Sequence, residues 1–181
     1  LFPDGGAGEV DQKAVILYRD MLSEMVNNGV RPFANLYHFD MPFKLQEIGG
    51  WESREVVKAY VNFATTCFKE FGDLVFHWFT FNEPLGPILG SYLEDFHYPN
   101  IIDFKRGAQA AFNTILAHAM AVKSFKELNL DSKIGVILNL SPTYPRSQNK
   151  WDVEAAEIVD AFYTKSFLDP MVKGTFNEKL V

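Results

Sequence analysis

The sequence contains one cysteine, no excess of positive charge and no long hydrophobic run. Because Cys67 is the only cysteine, no internal disulfide bond can form, and its helical apolar surroundings predict a buried thiol. The formal net charge is −6, with acids and bases interspersed. This argues against nucleic acid or an anionic membrane as a partner, because both attract a basic face. No apolar run is long enough to cross a bilayer.

Motifs for nucleotides, metals and secretion are missing as well. Neither G-x-G-x-x-G nor G-x-x-x-x-G-K-[ST] follows a predicted strand, which disfavours a nucleotide- or phosphate-binding α/β protein. His77, His97 and His118 lack metal-ligand spacing, so we expect structural or solvated histidines, no metal and no cofactor. The absence of a signal peptide and the single cysteine predict a cytoplasmic protein. The start at Leu1-Phe2-Pro3, without Met, predicts the inside of a longer protein, and nothing indicates an oligomeric state.

The sequence does contain enough apolar surface for a buried core. Apolar residues make up 48% of the 181 residues, and 17 of them are phenylalanine. Helical and strand patterns alternate in the order α-β-α-β-α-β-α. Predicted helices begin at Asp11, Ser53, Asp103 and Asp152, and predicted strands cover 33–38, 74–81 and 133–140. Prolines and glycines in 84–102 predict a long loop, and the fourth helix is predicted to end at Leu168, before a final loop.

This alternation of strands and helices predicts a parallel sheet. The predicted connections that leave the strands are long, and His38, Asn82, Glu83 and Asn139 all lie at these leaving ends. Parallel strands bring such ends to one edge of the sheet. Active sites lie at this edge both in (β/α)8 barrels and in doubly wound sheets, so the pattern alone leaves both folds open.

The stretch Thr80-Phe81-Asn82-Glu83-Pro84 carries the strongest chemical signal. It ends an aromatic strand, where burial disfavours the charged form of a carboxyl group. A carboxyl at such a position can hold a proton and deliver it to a leaving group. From position alone, an equally open interpretation is that Glu83 caps a helix or pairs with an arginine.

Several other stretches accompany Asn82-Glu83-Pro84 in a specific order along nearly the whole chain. They are Phe2-Pro3-Asp4-Gly5, Leu36 to Pro42, Gly49-Gly50-Trp51, Phe71-Gly72-Asp73 and Gly135 to Pro145. Together they resemble glycoside hydrolase family 1, the family of β-glucosidases and 6-phospho-β-glucosidases. The resemblance implies that residues 1–181 are a single partial domain of a (β/α)8 barrel, roughly its strands three to five.

The resemblance also implies roles for individual residues. Glu83 would be the general acid/base of a retaining glycosidase, and Asn82 would hold the sugar's 2-hydroxyl group. His38 would bind another sugar hydroxyl, and Asn139 would lie near the aglycone side. From the residues alone, a core histidine and a cap of the strand exit stay open as alternatives for His38 and Asn139. The family's nucleophile lies in a Glu-Asn-Gly motif, which is absent here, so we expect it outside this chain.

The predicted partner is a small-molecule β-glycoside, and 6-phospho-β-glucosides are the favoured class. Phe39 stands where β-glucosidases most often have tryptophan, and His-Phe-Asp is typical of members that prefer 6-phospho-sugars. The alternatives are unphosphorylated β-glucosides or β-galactosides, or a non-catalytic sugar-binding barrel. Asp40, Glu94 and Asp95 are predicted to cap loops or to be solvated, and residues 92–99 are a candidate lining of the aglycone entrance.

Overall fold

The computed structural model describes residues 1–6 and 8–180 and shows strands alternating with helices. In chain order the elements are α1 (Gln12–Asn27), β1 (Phe33–Asn35), α2 (Phe43–Glu47), α3 (Arg54–Phe71), β2 (His77–Asn82), α4 (Leu85–Tyr92), α5 (Phe104–Glu127), β3 (Lys133–Ile137) and α6 (Lys150–Asp160). Helix α6 runs on through residues 161–173, here called the C-terminal segment. None of the helices in the described residues has both the length and the apolar character needed to cross a membrane.

The three strands of the described residues form a parallel sheet in the order β1-β2-β3. Phe33 lies beside His77, and His77 lies beside Lys133. Parallel neighbours joined through helices are the α/β arrangement that the alternation predicts, so the fold class is confirmed. The strands are shorter than predicted, and β1 already ends at Asn35. Their carboxyl ends nevertheless share one edge, where the polar residues of the sequence motifs lie.

Aromatic packing ties two helices to the central strand. Phe68 of α3 is fully buried and lies edge-on to Trp78 of β2, with ring centroids 5.0 Å apart. The same ring contacts Phe125 of α5 at 5.2 Å. Edge-to-face pairs of this kind add about 0.5–1.5 kcal/mol beyond the burial of their area. Cys67, also on α3, is buried as predicted, and burial raises the pKa of its thiol to about 12.

Side chains cap the helices where the sequence indicates, with one exception. Asp11, Ser53 and Asp103 each accept a hydrogen bond from a backbone N–H group in the first turn of α1, α3 and α5. The predicted start of the fourth helix at Asp152 is wrong. Asn149 caps that helix, because its side-chain oxygen Oδ1 accepts a hydrogen bond from the backbone N–H of Trp151. An asparagine amide oxygen reaches the first turn as well as an aspartate carboxylate does.

The predicted loop 84–102 is wrong over its first half, which forms α4. Pro84 immediately precedes this helix and Pro87 lies in its first turn, where backbone N–H groups have no intrahelical acceptor. Gly90 does not interrupt the helix. A Cβ atom at this position would lie 2.6 Å from the ring of Phe96, so glycine is required by close packing of the returning chain.

The predicted end of the fourth helix at Leu168 is also wrong. The C-terminal segment contains π-helical turns at Ala161–Lys165 and Asp169–Lys173, with a short α-helical turn, Ser166–Leu168, between them. Pro170 lies inside this continuous helical run, in the second π-helical turn, where it removes one backbone N–H donor without ending the helix. The helical chain therefore continues to Lys173 and ends at Gly174, whose φ of 74° is left-handed.

Candidate active site

The end of β2 is bound to both neighbouring strands at the carboxyl edge of the sheet. The backbone N–H of Asn82 donates to the carbonyl of Tyr37, 2.9 Å away, in the segment that follows β1. The backbone N–H of Glu83 donates to the carbonyl of Ile137, 2.8 Å away, at the end of β3. Asn82 and Glu83 are both half-buried. The pair is therefore held on both sides at the point where the strand leaves the core.

The backbone of Glu83 adopts an uncommon left-handed conformation. Its φ is +41°, a region that favours glycine and costs other residues about 1–3 kcal/mol. The carbonyl of Glu83 accepts a hydrogen bond from Gly86 N–H at 2.9 Å, and α4 begins one residue after Pro84. This sharp strand-to-helix turn fixes the direction of the Glu83 side chain at the edge of the sheet.

The carboxylate of Glu83 meets Asn139 across the edge. The side-chain amide of Asn139 donates to Oε2 of Glu83 at 3.4 Å, a long but direct contact between the ends of β2 and β3. The two residues share a groove of about 220 Å³ with α4 and the C-terminal segment. Lining residues include Leu89, Ser141, Tyr163 and Phe167. An acid with an amide partner thus faces an open, partly apolar groove, the setting that delivery of a proton to a bound ligand requires.

His38 and Asn82 lie at the same edge, but neither side chain hydrogen-bonds the Glu83 carboxylate in the described residues. His38 is exposed, and its backbone N–H donates to Oδ1 of Asp40 at 3.2 Å. The ring of His38 lies edge-on to Phe39 at 5.0 Å. The alternative of a core histidine would require a buried ring, and His38 is exposed in the described residues. A second cavity, of about 190 Å³, lies next to Phe39 and includes His97 and Tyr98 of the predicted aromatic entrance.

Buried aromatic rings support the edge from below. Trp51 lies 5.3 Å from Tyr37 and 5.3 Å from Phe81, and Tyr60 stacks on Phe81 at 4.7 Å. Burial raises the pKa of Tyr37 to about 12, so this hydroxyl stays protonated over the physiological range. Trp51 therefore packs in the core, and these rings pack directly beneath the chain on either side of Asn82 and Glu83.

Sequence reasoning missed a buried polar group behind the site. Thr80 and His118 are 0% and 6% exposed, and Thr80 Oγ1 lies 2.7 Å from Nδ1 of His118. His118 is thus structural rather than solvated. The threonine within the Thr-Phe-Asn-Glu stretch and the histidine on the apolar face of α5 were the available signals. Their pairing is spatial, over 38 positions of the chain, and no local pattern reveals it.

Fold and site together define part of an α/β barrel with an acid at the carboxyl edge of its strands. Residues 1–181 match the model of glycosyl hydrolase family 1. The chain belongs to this family, and the predicted resemblance is confirmed.

Relatives and solved structures agree with this assignment. The chain is 54% identical over its whole length to 6-phospho-beta-glucosidase GmuD of Bacillus subtilis, of which it covers 39%. It is 39% identical to Beta-glucosidase A of Acetivibrio thermocellus, with 98% of this chain and 40% of the relative covered. The crystal structure of the GH1 beta-glucosidase from Exiguobacterium antarcticum B7 superposes with a TM-score of 0.91 at 32% identity, over 99% of this chain and 40% of that one. The chain spans about two fifths of the length of these proteins.

Proposed function

We propose that the protein is a retaining β-glycosidase that hydrolyses 6-phospho-β-glucosides, with Glu83 as its general acid/base. The observation that carries this proposal is the setting of Glu83. A carboxylate is held by a left-handed backbone at the carboxyl edge of a parallel sheet, opposite an amide donor and above a groove. A helix cap or an arginine pair, the plain alternatives, would not need this strained position, because strain of this kind clusters at functional sites.

Retaining glycosidases use two carboxyl groups about 5–5.5 Å apart on either side of the glycosidic bond. In the proposed mechanism, Glu83 first donates a proton to the departing glycosidic oxygen while the second carboxylate attacks the sugar and forms a covalent glycosyl-enzyme. Glu83, now ionised, then takes a proton from the water that releases the sugar. The second carboxylate is expected beyond the residues of this chain, since no Glu-Asn-Gly occurs in it.

The polar residues at the edge supply recognition in this proposal. Asn82 is half-buried and stands next to Glu83, and in this proposal its amide holds the 2-hydroxyl of the sugar. His38 presents an exposed ring at the end of the neighbouring strand segment, where it can bind another hydroxyl. Asn139 orients the Glu83 carboxylate and borders the groove on the leaving-group side. These positions support the assigned roles, and ligand binding tests them.

Two observations favour a phosphorylated sugar. One is the 54% identity to a protein named as a 6-phospho-beta-glucosidase. The other is Phe39 beside His38, because a phenylalanine ring lacks the N–H that an indole could donate to an unmodified sugar hydroxyl. A cytoplasmic location fits such a substrate, since sugar phosphates are charged and do not cross bilayers unaided. Hydrolysis of unphosphorylated β-glucosides is the second candidate, supported by the 39% identity to a β-glucosidase.

A comparison of two substrates separates these candidates. The complete enzyme is assayed with an aryl β-glucoside and with the same compound carrying a 6-phosphate. We expect kcat/KM to be at least about 100-fold higher for the phosphate, the effect of about 2.7 kcal/mol of added binding to a charged group. Equal or higher kcat/KM for the unphosphorylated compound would contradict the 6-phospho specificity and leave the glycosidase proposal intact.

A further inference from the structure

The central strand contains an irregularity just before the proposed acid/base. Phe79 pairs with Gly135, and Asn82 pairs with Ile137, so three steps along β2 match only two steps along β3. Thr80 and Phe81 occupy this β-bulge, and both side chains are 0% exposed. Bulges of this kind bend a strand and re-aim the side chains that follow, and they are common next to active sites. The geometry of the bulge therefore determines where Glu83 points.

Three elements hold Thr80 in the bulge. Its hydroxyl lies 2.7 Å from Nδ1 of His118 on α5 and 3.2 Å from the carbonyl of Gly135 on β3. Its carbonyl accepts a 2.6 Å hydrogen bond from the hydroxyl of Tyr60 on α3. Burial raises the pKa of Tyr60 well above its ordinary value, so this hydroxyl keeps its proton and donates. Buried hydrogen bonds that satisfy a distorted backbone keep it in one conformation.

His118 extends the network to the opposite wall of the groove. Its Nε2 lies 3.1 Å from the carbonyl of Met171 in the C-terminal segment, whose Tyr163 and Phe167 line the groove of Glu83. Burial lowers the pKa of His118, which favours a neutral ring. A neutral ring with its proton on Nε2 donates to Met171, and Nδ1 then accepts the single proton of the Thr80 hydroxyl. In this tautomer the 3.2 Å approach of that hydroxyl to the Gly135 carbonyl is the weaker branch of a shared hydrogen bond. One imidazole thus connects the strand of the acid/base with the segment that faces it.

We propose that Thr80 and His118 are positioning residues for Glu83. They hold the bulge of β2 in the shape that places the carboxylate at the glycosidic oxygen, and they touch no substrate themselves. This inference rests on the proposed function of Glu83. A displacement of a catalytic group by about 1 Å can cost about 10²-fold in rate. Loss of the hydrogen bond between Thr80 and His118 should therefore impair proton delivery in a protein that still folds.

The test uses Thr80→Val in the complete enzyme, which removes the hydroxyl and retains the shape of the side chain. The matched control is Thr114→Val. Thr114 is equally buried, at 3% exposed, but its hydroxyl donates to Ala110 within α5, at 2.9 Å. Each variant is assayed with an aryl glycoside that has a good leaving group, such as 2,4-dinitrophenol, and with one that has a poor leaving group, such as phenol.

We expect Thr80→Val to lower kcat/KM about 10-fold or more for the poor leaving group and less than about 3-fold for the good one, because only the poor one needs the proton. Thr114→Val should leave this ratio unchanged, even if it lowers the melting temperature, and Thr80→Ser should restore it. Equal losses on both substrates with Thr80→Val, or the same change with Thr114→Val, would overturn the positioning role.

Should Thr80→Val fail to fold, Tyr60→Phe decides the question, because it removes one hydrogen bond to Thr80 and retains the ring. A larger loss for the poor leaving group supports the inference, and an unchanged ratio overturns it. The wild-type enzyme separates this inference from the function on which it rests. Without wild-type turnover of either glycoside, with or without a 6-phosphate on the sugar, both fail. With wild-type turnover and unaltered ratios in the variants, only the positioning role fails.

Discussion

At the scale of single residues, the sequence predicts which groups carry the chemistry but not how they are held. Glu83 and Asn139 are predicted because they follow apolar strands in stretches that resemble glycoside hydrolase family 1. The left-handed backbone of Glu83 is not predictable, since its φ of +41° depends on a hydrogen bond to Ile137, far along the chain. Thr80 and His118 escape prediction for the same reason. The conformations of these residues depend on contacts with residues far along the chain, which local propensity does not describe.

Removal of the amide that faces Glu83 tests the proposed site at this scale. In the complete enzyme, Asn139→Ala should lower kcat/KM about 10-fold, because the carboxylate loses the donor that orients it. Asn28→Ala is the matched control. Asn28 also donates its side-chain amide to a glutamate, Oε1 of Glu24 at 2.9 Å, but at the end of α1. Steady-state kinetics measure both variants. An Asn139→Ala enzyme as active as Asn28→Ala would show that the contact with Glu83 has no catalytic importance.

At the scale of elements, caps and periodicity predict α1, α3 and α5 well, because each begins with a side chain that accepts from its first turn. The pattern fails at α4, where Pro84, Pro87 and Gly90 resemble loop residues. Both prolines occupy positions that tolerate a missing N–H, and Gly90 is required by its contact with Phe96. Only tertiary packing distinguishes a glycine that breaks a helix from a glycine that lets another segment of the same chain approach the helix.

The contact between helices and sheet gives a prediction about stability. Phe68 fills the space between Trp78 and Phe125, and it is fully buried. Phe68→Ala should lower the free energy of unfolding by about 3–5 kcal/mol, because it leaves a cavity and removes two aromatic contacts. Phe68→Leu, the control, should lose clearly less, since it keeps most of the volume. Chemical denaturation of the complete enzyme measures both. A loss below about 1 kcal/mol for Phe68→Ala would contradict the packing described here.

At the scale of the whole molecule, the alternation of elements predicts the parallel sheet, and the family resemblance predicts the barrel to which it belongs. Both are confirmed. The alternation alone could not distinguish a barrel from a doubly wound sheet, because the two share their βα units and the position of their active site. Whether a sheet closes into a barrel depends on pairing between strands that are far apart in the chain. It has no counterpart in the periodicity of any single segment.

The exposed edges of the sheet predict how residues 1–181 behave when they are made on their own. In the described residues β1 and β3 each have one neighbouring strand, and Phe33 and Leu140 are 56% and 42% exposed. Unpaired edges and apolar side chains promote association with other chains. We expect this polypeptide to elute as aggregates or oligomers in size-exclusion chromatography and to show no turnover, because one carboxyl group cannot form the covalent intermediate. An active, monodisperse monomer would contradict this view.

The assignment of Glu83 as general acid/base is tested most directly by Glu83→Gln in the complete enzyme, assayed with two leaving groups. Protonation by a positioned acid contributes about 10²–10⁴-fold to such reactions. We predict a loss of this size in kcat/KM for phenyl glycosides, which need the proton. With 2,4-dinitrophenyl glycosides, which do not, the first step should stay fast and the covalent glycosyl-enzyme should accumulate as an initial burst. Equal losses for both leaving groups, without a burst, would contradict the role of Glu83.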